Sequence, residues 1–223
     1  MHLKSSLLSA VPGLLHGFGS ADEAVPEPFR DLFPEHFPHW KQVHGARVVQ
    51  VCEPRQQAGE CDALWTRRRA QPIGVIGADC TPILLAREDG GVIAAAHAGW
   101  RGTRARIAQA LVAELRRAGE DPARFVAAIG PVIGPCCYEV SEELAADFAR
   151  EFAAAGAGLA VPSHRRLNLG ALNAWQLLES GVERIDCLAP CTRCSVGADG
   201  RPLYQSYRRS GRGPQQYACA RIG

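Results

Sequence analysis

Three short stretches set a metal-type ligand beside small residues. KQVHG (41–45) carries His44, GADCTP (77–82) carries Cys80, and AAAHAGWRGT (94–103) carries His97. Each stands at the entry or the end of an apolar run, where a strand would deliver a side chain to one end of a sheet. Two neutral imidazoles and a thiolate are donors that suit zinc. Three protein ligands with no evident fourth describe an open catalytic site better than a closed structural one. The gaps, from 44 to 80 and from 80 to 97, match no local zinc motif, so the three residues make a site only if the fold gathers them. Their ligand atoms are then expected within about 4 Å of one another, because Zn–N and Zn–S bonds are about 2.0–2.3 Å long. The same residues admit a metal-free reading in which the Cys80 thiolate is a nucleophile and His97 its base. Each also admits a structural reading: a buried free cysteine packs as a small apolar side chain, and a single histidine is ordinarily satisfied by its neighbours.

A second cysteine-rich run, CLAPCTRC, holds Cys187, Cys191 and Cys194. Its spacing can serve zinc or part of an iron–sulfur cluster. No fourth ligand is adjacent, and Cys187 falls inside a predicted strand, so the run is expected to bind no metal. Cys136 and Cys137 in GPCC read as tight packing at a strand-to-helix connection, since vicinal cysteines seldom bridge one another. Anion chemistry falls to arginine. Arg101 in GWRGT and Arg208 in YQSYRRSGRG stand in glycine-rich surroundings, where a guanidinium fork can hold phosphate or carboxylate. GWRGT also offers free backbone N–H groups at a helix start.

The elements that must position these residues follow from periodicity. ARVVQVC (46–52), IGVIG (73–77), PILLA (82–86), GVIAAA (91–96), RFVAAIG (124–130) and VERIDCLA (182–189) read as strands. Several are apolar on both faces, as in a covered sheet. Asp89-Gly90-Gly91 signals a hairpin between the third and fourth of these. TRARIAQALVAELRRAG (103–119) repeats apolar residues at helical spacing and is expected as one helix. Ser141 and Asn168 are placed to cap two more. Residues 19–40, rich in proline and acid, read as an irregular connection. Strands and helices alternate, which argues an α/β or α+β fold in one domain over the 223 residues. The net charge of +2 without a basic block argues against nucleic acid as a partner. The apolar N-terminal stretch is broken at Pro12-Gly13 and too short to span a bilayer, so no membrane partner is expected. Nine cysteines, an odd number, do not form a secreted disulfide framework, and a cytoplasmic location is expected.

Together QVHG, CDALWT, GVIGADCTPILL, AAAHAGWRGT, AAIGPVIGPCCYEV and CTRC followed by YQSYRR resemble the YfiH family, long labelled multicopper polyphenol oxidoreductase or laccase domain. The resemblance runs from about residue 41 to 209. It implies a four-layered αββα sandwich with mixed sheets. It also implies a metal site that carries over to His44, Cys80 and His97, with zinc as the cofactor. The activity implied is phosphorolysis of purine nucleosides (adenosine, inosine and methylthioadenosine) together with deamination of adenosine, so purine nucleosides and phosphate are the expected partners. The chain departs from the family pattern over residues 1–40, a shortened segment that keeps only HGF. It departs again at Asn168, where aspartate is usual, and at GRGPQQYACA after SYRR. Seven histidines with no His-x-His pair do not provide for a four-copper oxidase, whose centres are built from imidazoles; a single bound copper is compatible with them. A non-catalytic nucleoside-binding or accessory protein is the alternative of another class.

Overall fold

Seven helices and eleven strands make up the computed structural model, which describes residues 2–156 and 158–223. The chain opens with α1 (Ser6–Ser9), β1 (Leu14–Phe18), α2 (Glu27–Arg30), β2 (His39–Lys41), β3 (Val48–Gln50), β4 (Gln57–Glu60) and β5 (Ala63–Thr66). Three consecutive strands, β6 (Ile73–Gly77), β7 (Thr81–Arg87) and β8 (Ile93–Ala98), lead into α3 (Trp100–Arg104) and α4 (Ile107–Arg117). Then come β9 (Phe125–Ile129), α5 (Glu142–Glu151), α6 (Leu169–Glu179), β10 (Arg184–Cys187), α7 (Tyr207–Ser210) and β11 (Gln216–Ile222).

Side-chain alternation along the strands decides the layers. A six-stranded mixed sheet runs in the order β10-β9-β7-β8-β5-β3. On β7, Ile83 and Leu85 face one way, together with Ala94, Ala96 and Ala127, onto the apolar stripe Ile107, Leu111 and Leu115 of α4. Their neighbours Leu84 and Ala86, with Ala95 and Ala128, face the other way, onto Ile73, Val75, Ala218 and Ala220. Those last four belong to a three-stranded antiparallel sheet, β1-β11-β6. Both faces of the large sheet are thus buried, which is why its strands read as unbroken apolar runs. The outer face of the small sheet is covered by edge-to-face aromatics, Phe29, Phe33 and Phe37, around Cys219 and Tyr217. The order is helix, sheet, sheet, helix, with the fourth layer reduced to α2 and this aromatic cluster.

Two expectations need correction. Residues 103–119 do not form one helix: Arg106 has φ 62°, and the chain breaks between α3 and α4. The guanidinium of Arg106 lies 3.8 Å over Phe152, and its Nη2 donates to Glu151 O at 2.9 Å. Packing against the end of α5 overrides the local propensity for helix. Residues 19–40 are not wholly irregular, since they contain α2 and the start of β2. One strand has no counterpart among the expected elements: the C-terminal QYACARI is β11, the centre of the small sheet, with Ala218, Ala220 and Ile222 directed to the core and Tyr217 and Cys219 to the aromatic layer. The hairpin joining β7 to β8 and the caps Ser141 and Asn168 lie where the sequence puts them.

At the start of the chain, Ser5 caps α1, and its N–H donates to Nε2 of the buried His16 on β1 at 3.0 Å. Burial, aided by Lys4 and His2, holds the His16 imidazole down to about 4. The unfolded chain takes up this proton below about pH 6.5, while the folded chain refuses it until about pH 4. Stability is therefore expected to fall as pH drops through that window, by about 2–4 kcal/mol from this one group. Urea midpoints of wild type and His16→Gln between pH 7 and 4.5 check this. The variant should lose that part of the slope, and parallel curves would assign the acid sensitivity elsewhere.

Candidate active site

The site is organised by a residue that carries no metal-type signal in the sequence. Asp62 immediately precedes β5, and its side chain is fully buried. Three consecutive N–H groups of the turn before β3 ring its carboxylate: Val43 at 3.1 Å, His44 at 2.9 Å and Gly45 at 2.8 Å. A fourth donor is Nδ1 of His97, at 2.9 Å. His44 adopts φ 61° to join this ring, a left-handed conformation that costs a non-glycine residue about 1–2 kcal/mol. One carboxylate thus fixes the backbone that presents His44 and the ring orientation of His97, leaving Nε2 of His97 available. Cys80 comes from the turn between β6 and β7 and follows Asp79, which has φ 92°.

The three sequence-selected residues converge. One ligand atom from each of His44, Cys80 and His97 lies within 4.8 Å of the others, against the roughly 4 Å expected from bond lengths. The two imidazoles meet edge-on with centroids 4.9 Å apart. Gly99, just after β8, keeps the group open: a Cβ there would stand 2.8 Å from Cys80 Sγ and 3.0 Å from His44 Cδ2. Two nitrogens and one sulfur at this spacing can hold a metal ion.

The electrostatics fit a cation. Burial pushes the Asp62 carboxyl up, but hydrogen bonds from His97, Gly45 and Val43 outweigh it and hold the group ionised. Burial pulls His97 down, and the Asp62 and Cys80 contacts reverse this, raising it to about 9. Burial pushes the Cys80 thiol up, and hydrogen bonds from His44 and His97 bring it to about 7. Asp62 and a partly ionised Cys80 thus favour positive charge at this point, carried by His97 when no metal is bound and replaced by the ion when one is.

The trio opens onto a cleft of about 920 Å³ whose lining includes Arg101, Arg208 and Arg212. Among the described residues none of these three guanidiniums pairs with a carboxylate. The Arg101 guanidinium stacks 4.4 Å over Trp100. Arg208 is set more firmly: its backbone N–H donates to Asp79 Oδ2 at 2.7 Å, its Nη1 donates to Glu139 O at 2.8 Å, and its guanidinium lies over Tyr138. Both sequence-selected arginines thus share one cleft with the trio. Sequence reasoning missed Asp62 and Asp79; a lone acid at the entry to an apolar strand was the available signal for each. The cysteine-rich run divides differently from its spacing. Cys187 stands apart on β10, whereas Cys191 and Cys194 meet Cys136 and Cys137.

Removing the organising carboxylate is expected to cost metal affinity at the trio. Asp62→Asn puts an amide NH₂ among four N–H donors, and binding should weaken about 10–100-fold, the usual effect of losing the partner of a ligating histidine. Gly99→Ala should weaken it through the contact with Cys80. Competition with a colorimetric chelator measures both, with circular dichroism confirming the fold; unchanged affinity in Asp62→Asn would show that the carboxylate serves the fold alone.

A family model described as multi-copper polyphenol oxidoreductase laccase matches residues 27–220. Over 176 residues the chain is 40% identical to a purine nucleoside phosphorylase of Deinococcus radiodurans, an alignment covering 78% of this chain and 64% of that protein. Over 117 residues it is 42% identical to an adenosine deaminase from an unknown prokaryotic organism, covering 48% of this chain and 49% of that one. The alignment thus spans less than two thirds of the length of each. The fold matches the crystal structure of YlmD from Geobacillus stearothermophilus with a TM-score of 0.78 at 25% identity, over 98% of this chain and 94% of that one. The motifs, the layered fold and a match over most of the length agree, and the chain belongs to the multi-copper polyphenol oxidoreductase laccase family, the YfiH family of the sequence resemblance.

Proposed function

We propose that this chain is a purine nucleoside phosphorylase, acting on adenosine, inosine and methylthioadenosine, that also deaminates adenosine, with zinc held by His44, Cys80 and His97. The observation that carries this reading is the placement of the trio in a cleft whose arginine guanidiniums pair with no carboxylate among the described residues. The names of the relatives support it. The reading treats residues 1–223 as one functional domain. It also places the chain in the cytoplasm, in keeping with nine unbridged cysteines; among the described residues no helix is long and apolar enough to cross a membrane.

The donor set fits zinc, and it also accepts copper in vitro, since affinity at nitrogen and sulfur sites rises toward copper. Four-copper oxidation is not part of the reading. Among the described residues the two groups of three or more possible ligands are this trio and a set of cysteines, and neither is an imidazole cluster. Bound at the trio, zinc supplies Lewis acidity for the attack of water on the purine ring in deamination. The protein's own residues do the rest. Asp62 holds the Nδ1–H of His97 and so directs its Nε2 into the trio, where it would ligate the metal. For phosphorolysis, Arg101 and Arg208 hold the phosphate whose oxygen attacks C1′ of the ribose as the glycosidic bond breaks, and the leaving purine requires hydrogen-bond donors. Tyr138 in the cleft is suited to donate: burial pushes its phenol up to about 12, so it keeps its proton at neutral pH.

One observation favours a second reading. Cys80, His97 and Asp62 stand in the order nucleophile, base and orienting acid, the pattern of a metal-free cysteine hydrolase. His44 argues against it, since a nucleophile paired with one base has no use for a second imidazole, whereas a metal ion does. Metal analysis of protein purified without chelator separates the two: no zinc, with hydrolysis retained in His44→Ala, would favour the hydrolase.

If the proposal holds, cleavage of adenosine or inosine rises with phosphate concentration and yields ribose 1-phosphate. Losing a charge-assisted contact costs about 1.5–3 kcal/mol. Arg101→Ala or Arg208→Ala should therefore raise the phosphate KM roughly ten- to a hundredfold, while deamination suffers less. A strong chelator should abolish both activities, and added zinc should restore them. Free ribose formed without regard to phosphate would make the chain a hydrolase, and binding without turnover would make it an accessory protein.

A further inference from the structure

Two cysteine motifs unused by the proposed reaction meet in space. GPCC follows β9, CTRC follows β10, and the parallel pairing of those strands carries the two loops out side by side. The sulfurs of Cys136, Cys137, Cys191 and Cys194 all lie within 4.8 Å of one another, with 3.6 Å between Cys136 and Cys194. A tetrahedral ion with Zn–S bonds of about 2.3 Å sets neighbouring sulfurs about 3.8 Å apart. A disulfide needs about 2.0 Å, and all four thiols are unbridged. A backbone donor also reaches one of the sulfurs: the Gly134 N–H donates to Cys191 Sγ at 3.3 Å, a contact that favours the thiolate.

We propose that Cys136, Cys137, Cys191 and Cys194 form a closed four-sulfur zinc site, separate from His44, Cys80 and His97, that fastens the loop after β9 to the loop after β10. Four thiolates on a divalent ion leave two negative charges, and the surroundings offset them: Arg165, Arg166, Arg193 and Arg208 line a cavity shared with Cys137. Although Arg165 and Arg166 both pair with Glu139 there, the cavity keeps a surplus of positive charge. The expectation that CLAPCTRC binds no metal rested on a missing fourth ligand. The fold supplies two, from GPCC, and leaves Cys187 out.

The position gives the ion a use. Thr192, between the two turn cysteines, donates its hydroxyl to Asp79 Oδ1 at 2.6 Å, and Ile133 N donates to Asp79 O at 2.9 Å. Asp79 precedes Cys80 and holds the Arg208 backbone. Ile133 and Tyr138, on the GPCC loop, line the cleft. An ion joining these loops therefore stiffens the wall of the cleft without touching substrate. The assignment does not depend on the nucleoside reading.

Zinc content per chain tests it. The protein is expressed in zinc-supplemented medium, purified under nitrogen without chelator, and measured by native mass spectrometry and elemental analysis. Cys80→Ser removes the trio, so one tightly bound zinc should remain in that variant; His44→Ala serves the same purpose if Cys80→Ser misfolds. Adding Cys136→Ser and Cys194→Ser should remove the remaining ion. Cobalt loaded into Cys80→Ser should give the intense absorption of a tetrahedral four-thiolate centre. A Cys80→Ser protein with no stoichiometric zinc overturns the proposal, as does a disulfide between Cys136 and Cys194 in the isolated wild type. So does a cobalt spectrum lacking thiolate charge-transfer bands. None of these outcomes bears on whether the cleft cleaves nucleosides.

Discussion

A buried carboxylate is costly unless every lone pair is met, and Asp62 meets this condition with four N–H donors. Strand register makes the arrangement possible. β5 and β8 pair antiparallel with Ala63 opposite Ala96, which sets Asp62 across from His97, and the His97 N–H donates to Asp62 O at 2.7 Å. β7 pairs with the other edge of β8, with Pro82 opposite His97, and delivers Cys80 from the adjoining turn. A slip of one residue in either pairing would turn His97 to the opposite face of the sheet. The apolar sandwich, with Leu84 and Ala95 on one side of the large sheet and Ile83 and Ala96 on the other, is what forbids such a slip.

Much of the site was legible because residue type and position coincided. His44, Cys80 and His97 are soft or borderline donors beside glycines at the ends of strands, and Arg101 and Arg208 sit among glycines; all five face one cleft. Asp62 was not legible. Its role comes from three backbone N–H groups of a distant turn, and backbone donors leave no mark on residue identity. The cysteine quartet was hidden for a related reason: GPCC and CTRC are far apart in the chain and become neighbours only through the parallel pairing of β9 and β10. In the fold, the unbroken apolar runs locate β6, β7, β8 and β9 to within two residues at each end. The break at Arg106 was invisible because the ring it packs against, Phe152 at the C-cap of α5, is remote in sequence.

Asp79 connects the parts that the sequence presents separately. Its side chain takes the Thr192 hydroxyl and the Arg208 N–H, its carbonyl takes the Ile133 N–H, and it accepts a left-handed backbone to do so. The loop of Cys80, the two cysteine loops and helix α7, which carries Arg208, are therefore fixed relative to one another through one residue.

Gly99 shows how far such a site can be transplanted. Copying the three ligands onto another sheet would be insufficient, because the acceptor would also need a carboxylate beneath two of them and a position at which nothing projects from the backbone. A methyl group at that position meets both sulfur and imidazole. In design terms the constellation is a five-residue unit, with one of its members defined by an empty volume, and a search for similar centres in other folds must look for that vacancy as well as for the donors.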